Sequence, residues 1–264
     1  MLAPQRQQAI LAQIRRAGGV RVADLVAEFS VSDMTIRRDL EVLAERGLVL
    51  KVHGGATAPP AGAADEPGFA AKTERQRDEK LAIANLAADL VLPGSAIALS
   101  AGTTTVRLAQ RLIDIPGLTV VTNSIPVAEV FYRGGRPDQT VVLTGGSRTP
   151  SDALVGPLAV AALRDLHVDQ LFLGVHGFSV ATGLTTPNLL EAETNRALIA
   201  ATQRVVVLAD HTKWNTIGIA SIVPLSKVDL IITDNGLPDD VYQLLRDEAP
   251  VELARVTHNL RSAA

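Results

Sequence analysis

Apolar residues recur at helical spacing three times near the start of the chain. The first pattern spans about Pro4 to Ala17 and stops at Gly18-Gly19. The second places apolar residues at positions i, i+3, i+4 and i+7 of a helix, namely Val22, Leu25, Val26 and Phe29. The pattern therefore predicts two short helices that bury one face each.

A third helix follows the short connection 30–32. Ile36, Leu40 and Leu43 share one side of it, Ser32 is a good N-cap, and Gly47 is a good residue to end it. A β-rich run at 48–52 leads into the turn His53-Gly54-Gly55, which predicts a hairpin. Three helices followed by a hairpin predict a winged helix-turn-helix over residues 1–57.

Small residues and three prolines make residues 58–72 a predicted linker, because such a segment buries little surface. From residue 73 to 264, apolar runs alternate with helical patterns, notably Lys80–Val91, Val106–Ile113 and Leu189–Ala200. Continuous apolar runs are typical of parallel strands covered on both faces. We therefore predict an open, mostly parallel α/β domain with six strands: Ala96–Leu99, Thr119–Thr122, Thr140–Leu143, Gln170–Gly174, Val205–Leu208 and Leu230–Thr233.

Composition narrows the class of protein. Of the 264 residues 47% are hydrophobic and 20% are charged, which is typical of a globular protein with a sizeable core. The chain has no cysteine, which excludes disulfides, thiolate nucleophiles and cysteine-ligated zinc. It shows no signal-peptide pattern and no apolar run long enough to span a bilayer, so we expect a cytoplasmic protein without a membrane partner.

Charge is distributed unevenly between the two predicted domains. The net charge is −3, but residues 1–56 hold eight Lys/Arg against six Asp/Glu, which gives +2 there and −5 in the remainder.

On a helical wheel of the third helix, Arg38 points away from the apolar side, Met34 lies beside it, and Thr35 and Arg37 flank it. Arginine can read guanine bidentately in the major groove, and hydroxyls bind phosphates or base edges.

The predicted wing adds Lys51 and His53 at its Gly-Gly tip, where they would lie on the DNA backbone. The alternative interpretation is a charged helix face that is only solvated. Four acidic residues on the same helix favour that alternative: Asp33, Asp39, Glu41 and Glu45.

Loops rich in glycine, hydroxyl, amide and cationic residues follow the predicted strands. Ligands of open α/β sheets bind at the carboxyl ends of the strands, and a Gly-Thr loop that opens a helix offers N–H groups to an anion. We expect a small phosphorylated polyol there, with Lys213 as a second charge for its phosphate. The candidate residues are Gly102, Thr103, Thr104, Thr105, Asn123, Gly145, Gly146, Gly174, His176, Asp210 and Lys213.

Each of these residues also has a purely structural interpretation. Threonine caps helices, a loop lysine is commonly solvated, and a lone loop histidine such as His176 is commonly polar surface. No His/Asp/Glu spacing suggests a metal, and no serine lies in a nucleophile-elbow context. We therefore assign no catalytic residue, no metal and no cofactor.

The stretch Val31–Leu40 resembles the recognition-helix signature of the DeoR family of bacterial regulators, and Val52–Ala56 resembles that family's wing. Arg6–Leu11 is similar to its opening helix. The resemblance implies that Ser32, Thr35, Arg37 and Arg38 bind operator DNA, with support from the wing.

Residues of the second domain resemble the DeoR-type effector domain, which is similar in fold to ribose-phosphate isomerase. Matching segments include Gly102–Thr104, Thr122-Asn123, Gly183–Thr186, Asp210 and Lys213, and the resemblance adds Glu191 to the effector-binding candidates. The family often has Asp where this chain has Ser100-Ala101, and also where it has His176. Both departures bear on which ligand hydroxyls are recognised.

The leading interpretation is a transcriptional regulator, a repressor of sugar-metabolism genes, whose DNA affinity a phosphorylated sugar controls. The alternative is a sugar-phosphate isomerase with an appended DNA-binding domain, but the loop 174–179 lacks the carboxylate that such isomerases use as a general base. A third interpretation is a DNA-binding protein whose effector site is purely structural. We expect a homodimer or homotetramer, because two-fold operators mirror protein symmetry.

Overall fold

The computed structural model describes residues 2–17, 19–52, 54–57, 62–64, 66 and 68–256. The chain forms two compact units, one of Met1–Gly62 with Ala70–Arg75 and one of Ala63–Phe69 with Gln76–Ala264. His53 of the predicted wing and residues 58–61, 65 and 67 of the predicted linker lie outside the described residues. The described end of the predicted linker enters a short helix over Phe69–Thr73.

The first unit contains the three predicted helices and a small antiparallel sheet. The helices are α1 (Ala3–Ala17), α2 (Val22–Phe29) and α3 (Asp33–Glu45), and the strands are β1 (Gly19–Arg21), β2 (Leu50–Val52) and β3 (Gly55–Thr57). The predicted hairpin is β2–β3. Strand β1 was not predicted: it pairs with β3, so the wing has three strands in the order β1-β3-β2.

Glycine explains the third strand of the wing. A Cβ atom on Gly55 would lie 2.1 Å from the carbonyl oxygen of Val20, so only glycine lets β3 approach β1 this closely. Gly19, which the sequence suggested only as part of a helix stop, is the first residue of this strand. A three-residue strand is too short to show an alternating pattern, which is why it could not be predicted.

The ends and the buried side of α3 agree with the prediction. The hydroxyl of Ser32 accepts a hydrogen bond from the amide of Thr35, as an N-cap does. Gly47 has a φ of 68° directly after the helix. Ile36, Leu40 and Leu43 are buried together with Ile10, Ile14 and Leu25, and they form the core of this unit.

A buried ion pair joins α1 to α3. Arg6 Nε donates to Asp39 Oδ2 at 2.5 Å, and Gln7 Nε2 donates to Asp39 Oδ1 at 2.9 Å. Asp39 is only 4% exposed. Asp39 therefore does not add to a charged outer face of α3, because this carboxylate faces inward and fastens α3 to α1.

The second unit is an α/β domain. After α4 (Phe69–Thr73), the described residues of this unit form six α-helices: α5 (Arg77–Ala88), α6 (Thr103–Leu112), α7 (Ile125–Gly134), α8 (Pro157–Leu163), α9 (Leu189–Ala200) and α10 (Asp239–Arg246). Its strands are β4 (Ala96–Leu99), β5 (Thr119–Thr122), β6 (Thr140–Leu143), β7 (Ser147–Arg148), β8 (Leu154–Val155), β9 (Val168–Gly174), β10 (Gly177–Ser179), β11 (Gly183–Thr186), β12 (Thr202–Leu208), β13 (Ala220–Ser221), β14 (Leu230–Asp234) and β15 (Val251–Ala254).

Seven parallel strands form the main sheet in the order β15-β14-β12-β9-β4-β5-β6. The six predicted strands are all present, and the prediction of an open, mostly parallel sheet is confirmed. Strand β15 at the edge was not predicted, because a short strand covered on one side has no continuous apolar run. Two smaller antiparallel sheets, β10-β11-β13 and β7-β8, also escaped prediction.

Both faces of the main sheet are covered. Neighbouring residues of one strand belong to different apolar clusters: Val207 to the cluster that includes α8, α9 and α10, and Leu208 to the cluster that includes α5, α6 and α7. This double coverage explains why the strands read as continuous apolar runs. In the described part of the chain, no helix combines the length and apolar character needed to cross a membrane.

The buried pair between α1 and α3 generates a stability prediction. Asp39→Ala leaves the Arg6 guanidinium buried without its carboxylate, and breaking a buried pair in this way costs about 3–5 kcal/mol. We expect denaturant-induced unfolding at much lower denaturant concentration and faster hydrogen exchange of the α3 amides. Asp33→Ala, which removes an exposed carboxylate from the same helix, is the control and should change exchange little. Equal exchange in the two variants would contradict the role of Asp39.

Candidate functional site

The outward face of α3 carries the residues predicted to meet DNA. Met34, Arg37 and Arg38 are exposed, and Thr35 is half-buried. The hydroxyls of Ser32 and Thr35 hydrogen-bond each other at 2.8 Å at the start of the helix. The N-terminal turn of α3 therefore presents two hydroxyls, a thioether and two guanidinium groups on one accessible surface.

The two arginines of this face have different surroundings. Arg37 pairs with Asp33 one turn earlier, and this hydrogen bond, with the charge of Asp33, raises the pKa of Arg37 above its usual value. Among the described residues, no side chain pairs with the guanidinium of Arg38. Arg38 is therefore the arginine whose donors are all available to another molecule.

The wing presents Lys51 on strand β2, whose three residues are all exposed. Its ammonium lies 3.1 Å from Glu41 Oε1 of α3. An exposed pair of this kind is weak and is easily exchanged for a phosphate. The pairs Asp33–Arg37 and Lys51–Glu41, together with the buried Asp39, account for three of the four acidic residues of α3.

In the second unit, the strand order reverses between β4 and β9, and in open α/β sheets such a reversal creates a crevice at the carboxyl ends of the two strands. The chain proceeds from β4 to β5 and β6 on one side, and then returns to place β9 on the other side of β4. The connections that leave the carboxyl ends of β4 and β9 diverge, which is the position where open α/β sheets bind ligands. The loops at this point are residues 100–102 and 175–176.

Hydrogen bonds hold the loop after β4 against the end of β9. Thr105 Oγ1 donates to the carbonyl oxygens of Ser100 at 2.7 Å and Gly102 at 2.9 Å, while the amide of Gly174 donates to Ser100 Oγ at 2.9 Å. Thr104 and Thr105 are both buried. Thr105 therefore shapes the loop with its hydroxyl, whereas the half-buried Thr103 is the threonine that remains accessible.

The start of α6 lies at this crevice and lacks a side-chain cap. Gly102 occupies the N-cap position, and because glycine has no side chain it makes no side-chain cap hydrogen bond. By contrast, Ser124 caps α7 and Asn188 caps α9. The first N–H groups of a helix have no intrahelical acceptor and carry a partial positive charge, so this end favours an anion.

Asn123, after β5, is a brace for the crevice. Its Oδ1 accepts from the amide of Ala101 at 3.0 Å, and its Nδ2 donates to the carbonyl oxygen of Leu154 at 3.2 Å. The residue is only 1% exposed. Backbone groups thus bond both ends of the side-chain amide that was predicted to bind the ligand. Asn123 positions the loop after β4.

Two of the predicted glycines, Gly146 and Gly174, lie where the backbone comes close to neighbouring backbone. Gly145 and Gly146 have φ angles of 73° and 118°, and a Cβ on Gly146 would lie 2.5 Å from the carbonyl oxygen of Val155. A Cβ on Gly174 would lie 3.4 Å from the carbonyl oxygen of Ala101. These positions keep the loops after β6 and β9 close to their neighbours.

Asp210 and Lys213 lie in the loop after β12. Asp210 is 1% exposed, and its Oδ1 accepts from the amide and the hydroxyl of Thr212, which closes a short 3₁₀ turn over His211–Lys213. Within the described ranges, no side chain pairs with the Lys213 ammonium. The buried carboxylate thus shapes the turn that presents the lysine.

An imidazole–carboxylate pair in the same loop was not predicted. His211 Nδ1 lies 2.7 Å from Asp234 Oδ2, and the buried Asp234 also accepts from the amides of His211 and Gly236. The imidazole is partly exposed, and no described residue bonds its Nε2. Gly236 is needed here, because a Cβ would lie 2.6 Å from His211 Nδ1. The two residues are 23 positions apart, so no local pattern indicates that they pair.

Glu191 and His176, the remaining candidates, are half-buried. Glu191 lies in the first turn of α9, and its two oxygens accept from Thr149 at 2.9 Å and Thr186 at 3.1 Å. His176 follows the end of β9 by two residues. Glu191 therefore fastens α9 to the loop after β7 and to β11.

Lys80 is a candidate that the sequence interpretation missed. It lies in the first turn of α5, a helix that leads into β4 and packs against β14 and β15, so this turn faces the carboxyl ends of the strands. Lys80 is 4% exposed, and lysine is rarely buried to this extent. The sequence feature that could have indicated its burial is its helical spacing from Ile83, Ala84 and Ala87, because the other residues of this buried stripe are apolar.

Two features are expected of an isomerase or a metalloenzyme near these loops, namely a general base or a set of metal ligands. The loop Gly174–Ser179 contains no carboxylate that could move a proton next to a carbonyl. In the part of the chain that the structure describes, no three His, Asp or Glu side chains are grouped so that they could hold a metal ion. The arrangement consists of anion donors, hydroxyl partners and fixed loops, which is suited to binding.

Comparison with known proteins assigns both units. Residues 6–60 match the DeoR-like helix-turn-helix domain, and residues 75–235 match the DeoR C terminal sensor domain. The HTH-type transcriptional regulator YgbI of Escherichia coli (strain K12) is 39% identical over 246 residues, which cover 93% of this chain and 95% of that protein.

Two further proteins are similar to the chain. The glycerol-3-phosphate regulon repressor of Escherichia coli (strain K12) is 32% identical over 244 residues, covering 92% of this chain and 95% of the repressor. Ribose 5-phosphate isomerase A of Methanocaldococcus jannaschii has 18% sequence identity to it, with a TM-score of 0.38 over 51% of this chain and 53% of the isomerase.

The brace at Asn123 generates a prediction. Asn123→Ala leaves the amide of Ala101 and the carbonyl of Leu154 without their partners, and each unsatisfied buried group costs about 1–3 kcal/mol. We expect a lower free energy of unfolding and faster hydrogen exchange at the Ala101 amide. Gln203→Ala, an exposed change in β12, is the control. Unchanged protection of the Ala101 amide would show that Asn123 does not hold the loop.

Proposed function

This chain belongs to the DeoR family of transcriptional regulators, and we propose that a phosphorylated sugar or polyol binds at the carboxyl ends of its parallel strands and controls its affinity for operator DNA. The observation that carries the proposal is the crevice between β4 and β9, where the uncapped start of α6 meets fixed loops. The family consists of regulators, so the chain is a DNA-binding regulator and not an isomerase.

On the DNA side, the proposal assigns base contacts to the start of α3 and backbone contacts to the wing. Arg38 reads a guanine, because its guanidinium is exposed and has no competing partner among the described residues. Ser32, Thr35 and Arg37 hold phosphates or base edges near it, and Lys51 exchanges Glu41 for a phosphate. His53 of the wing belongs to the same proposal from its place in the sequence.

On the ligand side, the phosphate is assigned to the start of α6. The amides there carry partial positive charge, and the ammonium of Lys213 supplies a full one. Lys80 adds a second cation at the same end of the strands, from the first turn of α5. A phosphate group with two negative charges fits this site, because cations and amide donors are concentrated here although the second unit as a whole is acidic.

Polar groups that are fixed by the fold suit the hydroxyls of a sugar. Asp234 holds the imidazole of His211 in one orientation, so that Nε2 can accept or donate one hydrogen bond. His176 lies at the crevice itself, after β9. A ligand hydroxyl that matches such fixed partners is discriminated strongly, because a mismatched ligand leaves the partners unpaired.

We propose that the regulator acts as a repressor of sugar-metabolism genes; one similar protein is named as the repressor of the glycerol-3-phosphate regulon. The ligand changes DNA affinity only if it binds the two conformational states with different affinity. We also propose that the protein is cytoplasmic, where operator DNA is accessible, and that it works as a homodimer or homotetramer, because two-fold operators match symmetric proteins.

The proposal is tested by ligand binding and its effect on DNA. We expect at least one phosphorylated sugar or polyol to raise the melting temperature of the full chain, because a ligand of the native state stabilises it by mass action. The same compound should change operator affinity, while its unphosphorylated form should do neither. If no phosphorylated sugar in a broad panel raises the melting temperature, the ligand part of the proposal is wrong.

One prediction from the proposed function concerns the DNA contacts. Arg38→Ala should cost about 1–3 kcal/mol of specific binding and relax the sequence preference, because it removes a bidentate contact to guanine. Lys51→Ala should weaken binding to all sequences similarly and reduce the salt dependence, because it removes a phosphate contact. The measurement is affinity for operator and random duplexes over a salt series. Arg133→Ala, on an exposed part of α7, should match the parent; if Arg38→Ala matches it too, the groove assignment fails.

Another prediction from the proposed function concerns the binding of the ligand's phosphate. Lys213→Ala should weaken the ligand response about 10-fold or more, since a charge-assisted hydrogen bond contributes roughly 1.5–3 kcal/mol. Thr103→Glu should abolish the response, because it places a carboxylate where the phosphate lies; Thr104 is buried and is therefore unsuitable for this change. Both variants should bind operator normally without ligand. Lys227→Ala, an exposed lysine before β14 at the opposite end of the sheet, is the control. An undiminished response in both variants places the phosphate elsewhere.

A further inference from the structure

Met34 is an exposed apolar side chain in the middle of a polar surface. It occupies the second position of α3 and is 73% exposed, whereas the apolar residues on the other side of the helix are buried. Its neighbours on the outer face are the hydroxyl pair Ser32–Thr35 and the guanidinium of Arg38. The fold of the first unit does not use this side chain for packing, so its role is to be sought outside the unit.

The position of Met34 is continuous with the DNA-binding surface. In a helix-turn-helix, the N-terminal residues of the recognition helix contact the base edges in the major groove. A thioether offers no N–H or O–H donor and is only a weak acceptor, so it does not satisfy the polar edge of a base. The apolar feature of the major-groove edge is the C5-methyl group of thymine.

We propose that Met34 packs against the C5-methyl group of a thymine in the operator, within one or two base pairs of the guanine that Arg38 reads. Residues i and i+4 of a helix have Cβ atoms about 5–6 Å apart. Successive base pairs rise by about 3.4 Å, so this spacing covers one to two steps. Met34 thereby makes thymine the preferred base at that position.

The neighbouring charges permit this contact. The carboxylate of Asp33, which precedes Met34, is drawn to Arg37 one turn later. It is thus neutralised within the helix and does not oppose the approach of the phosphates. Arg38 is free of such a partner among the described residues and can enter the groove on the same face as Met34. The inference rests on the proposed base contact of Arg38.

The first experiment selects binding sites from a random duplex library with the full-length parent and with Met34→Ala. The parent motif should contain a thymine within two base pairs of the guanine that Arg38→Ala ceases to prefer. Met34→Ala should lose the preference for this thymine and retain the guanine. Met34→Leu, which keeps an apolar side chain of similar size, should retain both preferences.

The second experiment removes the methyl group from the DNA. Replacing that thymine by deoxyuridine leaves base pairing intact and should weaken binding of the parent about 3- to 5-fold, as expected for one lost methyl contact. Met34→Ala should bind both duplexes equally, so the two changes should not be additive. Deoxyuridine at a thymine outside this position is the control for a general effect on the duplex.

Three results would overturn the inference. The first is a parent motif without a thymine within two base pairs of that guanine. The second is equal affinity of the parent for thymine and deoxyuridine at that position. The third is a change of oligomeric state in Met34→Ala with the binding motif unchanged, which would assign Met34 to a contact between two copies of the chain. If Arg38→Ala leaves the guanine preference unchanged, the proposed groove assignment fails separately from the role of Met34.

Discussion

The adjacency of β4 and β9 is the constraint on which the proposed ligand site depends. These strands are about 70 residues apart in the chain, yet they pair in the centre of the sheet because the chain adds strands on both sides of β4. The hydrogen bond from the amide of Gly174 to Ser100 Oγ holds the loop after β4 against the end of β9. The phosphate group that we propose binds the start of α6 would lie beside this pairing, and the buried Asn123 and Thr105 hold the loop after β4 in place by hydrogen bonds.

A comparable constraint acts in the first unit. The inward carboxylate of Asp39 fixes α3 on α1 through Arg6, and it does so from the same helix that must present cations to DNA. The other acids near the start of α3 and the wing are paired with Arg37 and Lys51. The acidic residues of α3 therefore oppose DNA binding less than their number suggests. Asp39 is structural, and Asp33 and Glu41 pair with the exposed basic side chains of Arg37 and Lys51.

Much of the architecture could be predicted because its signals are local. The stripe of Ile36, Leu40 and Leu43, the cap at Ser32 and the stop at Gly47 are properties of one helix, and they appear in the structure as expected. The central strands could be predicted because both of their faces are buried. Strands β1 and β15 could not be predicted, since each is short and lies at the edge of a sheet, where pairing rather than apolar character maintains it.

The sequence by itself determined the two domain types, the order of the main elements, the outward face of α3 and the set of loops that carry polar residues. Only the tertiary structure decided which of those residues are accessible. Asn123, Thr105 and Asp210 are buried and brace the loops, whereas Lys213 is presented without a partner among the described residues. It also brought together His211 with Asp234, and placed Lys80 at the ends of the strands. The reason is physical: periodicity and caps depend on neighbours within a few residues, but hydrogen bonds across the sheet and burial of a polar group depend on strands that meet only after the chain has folded.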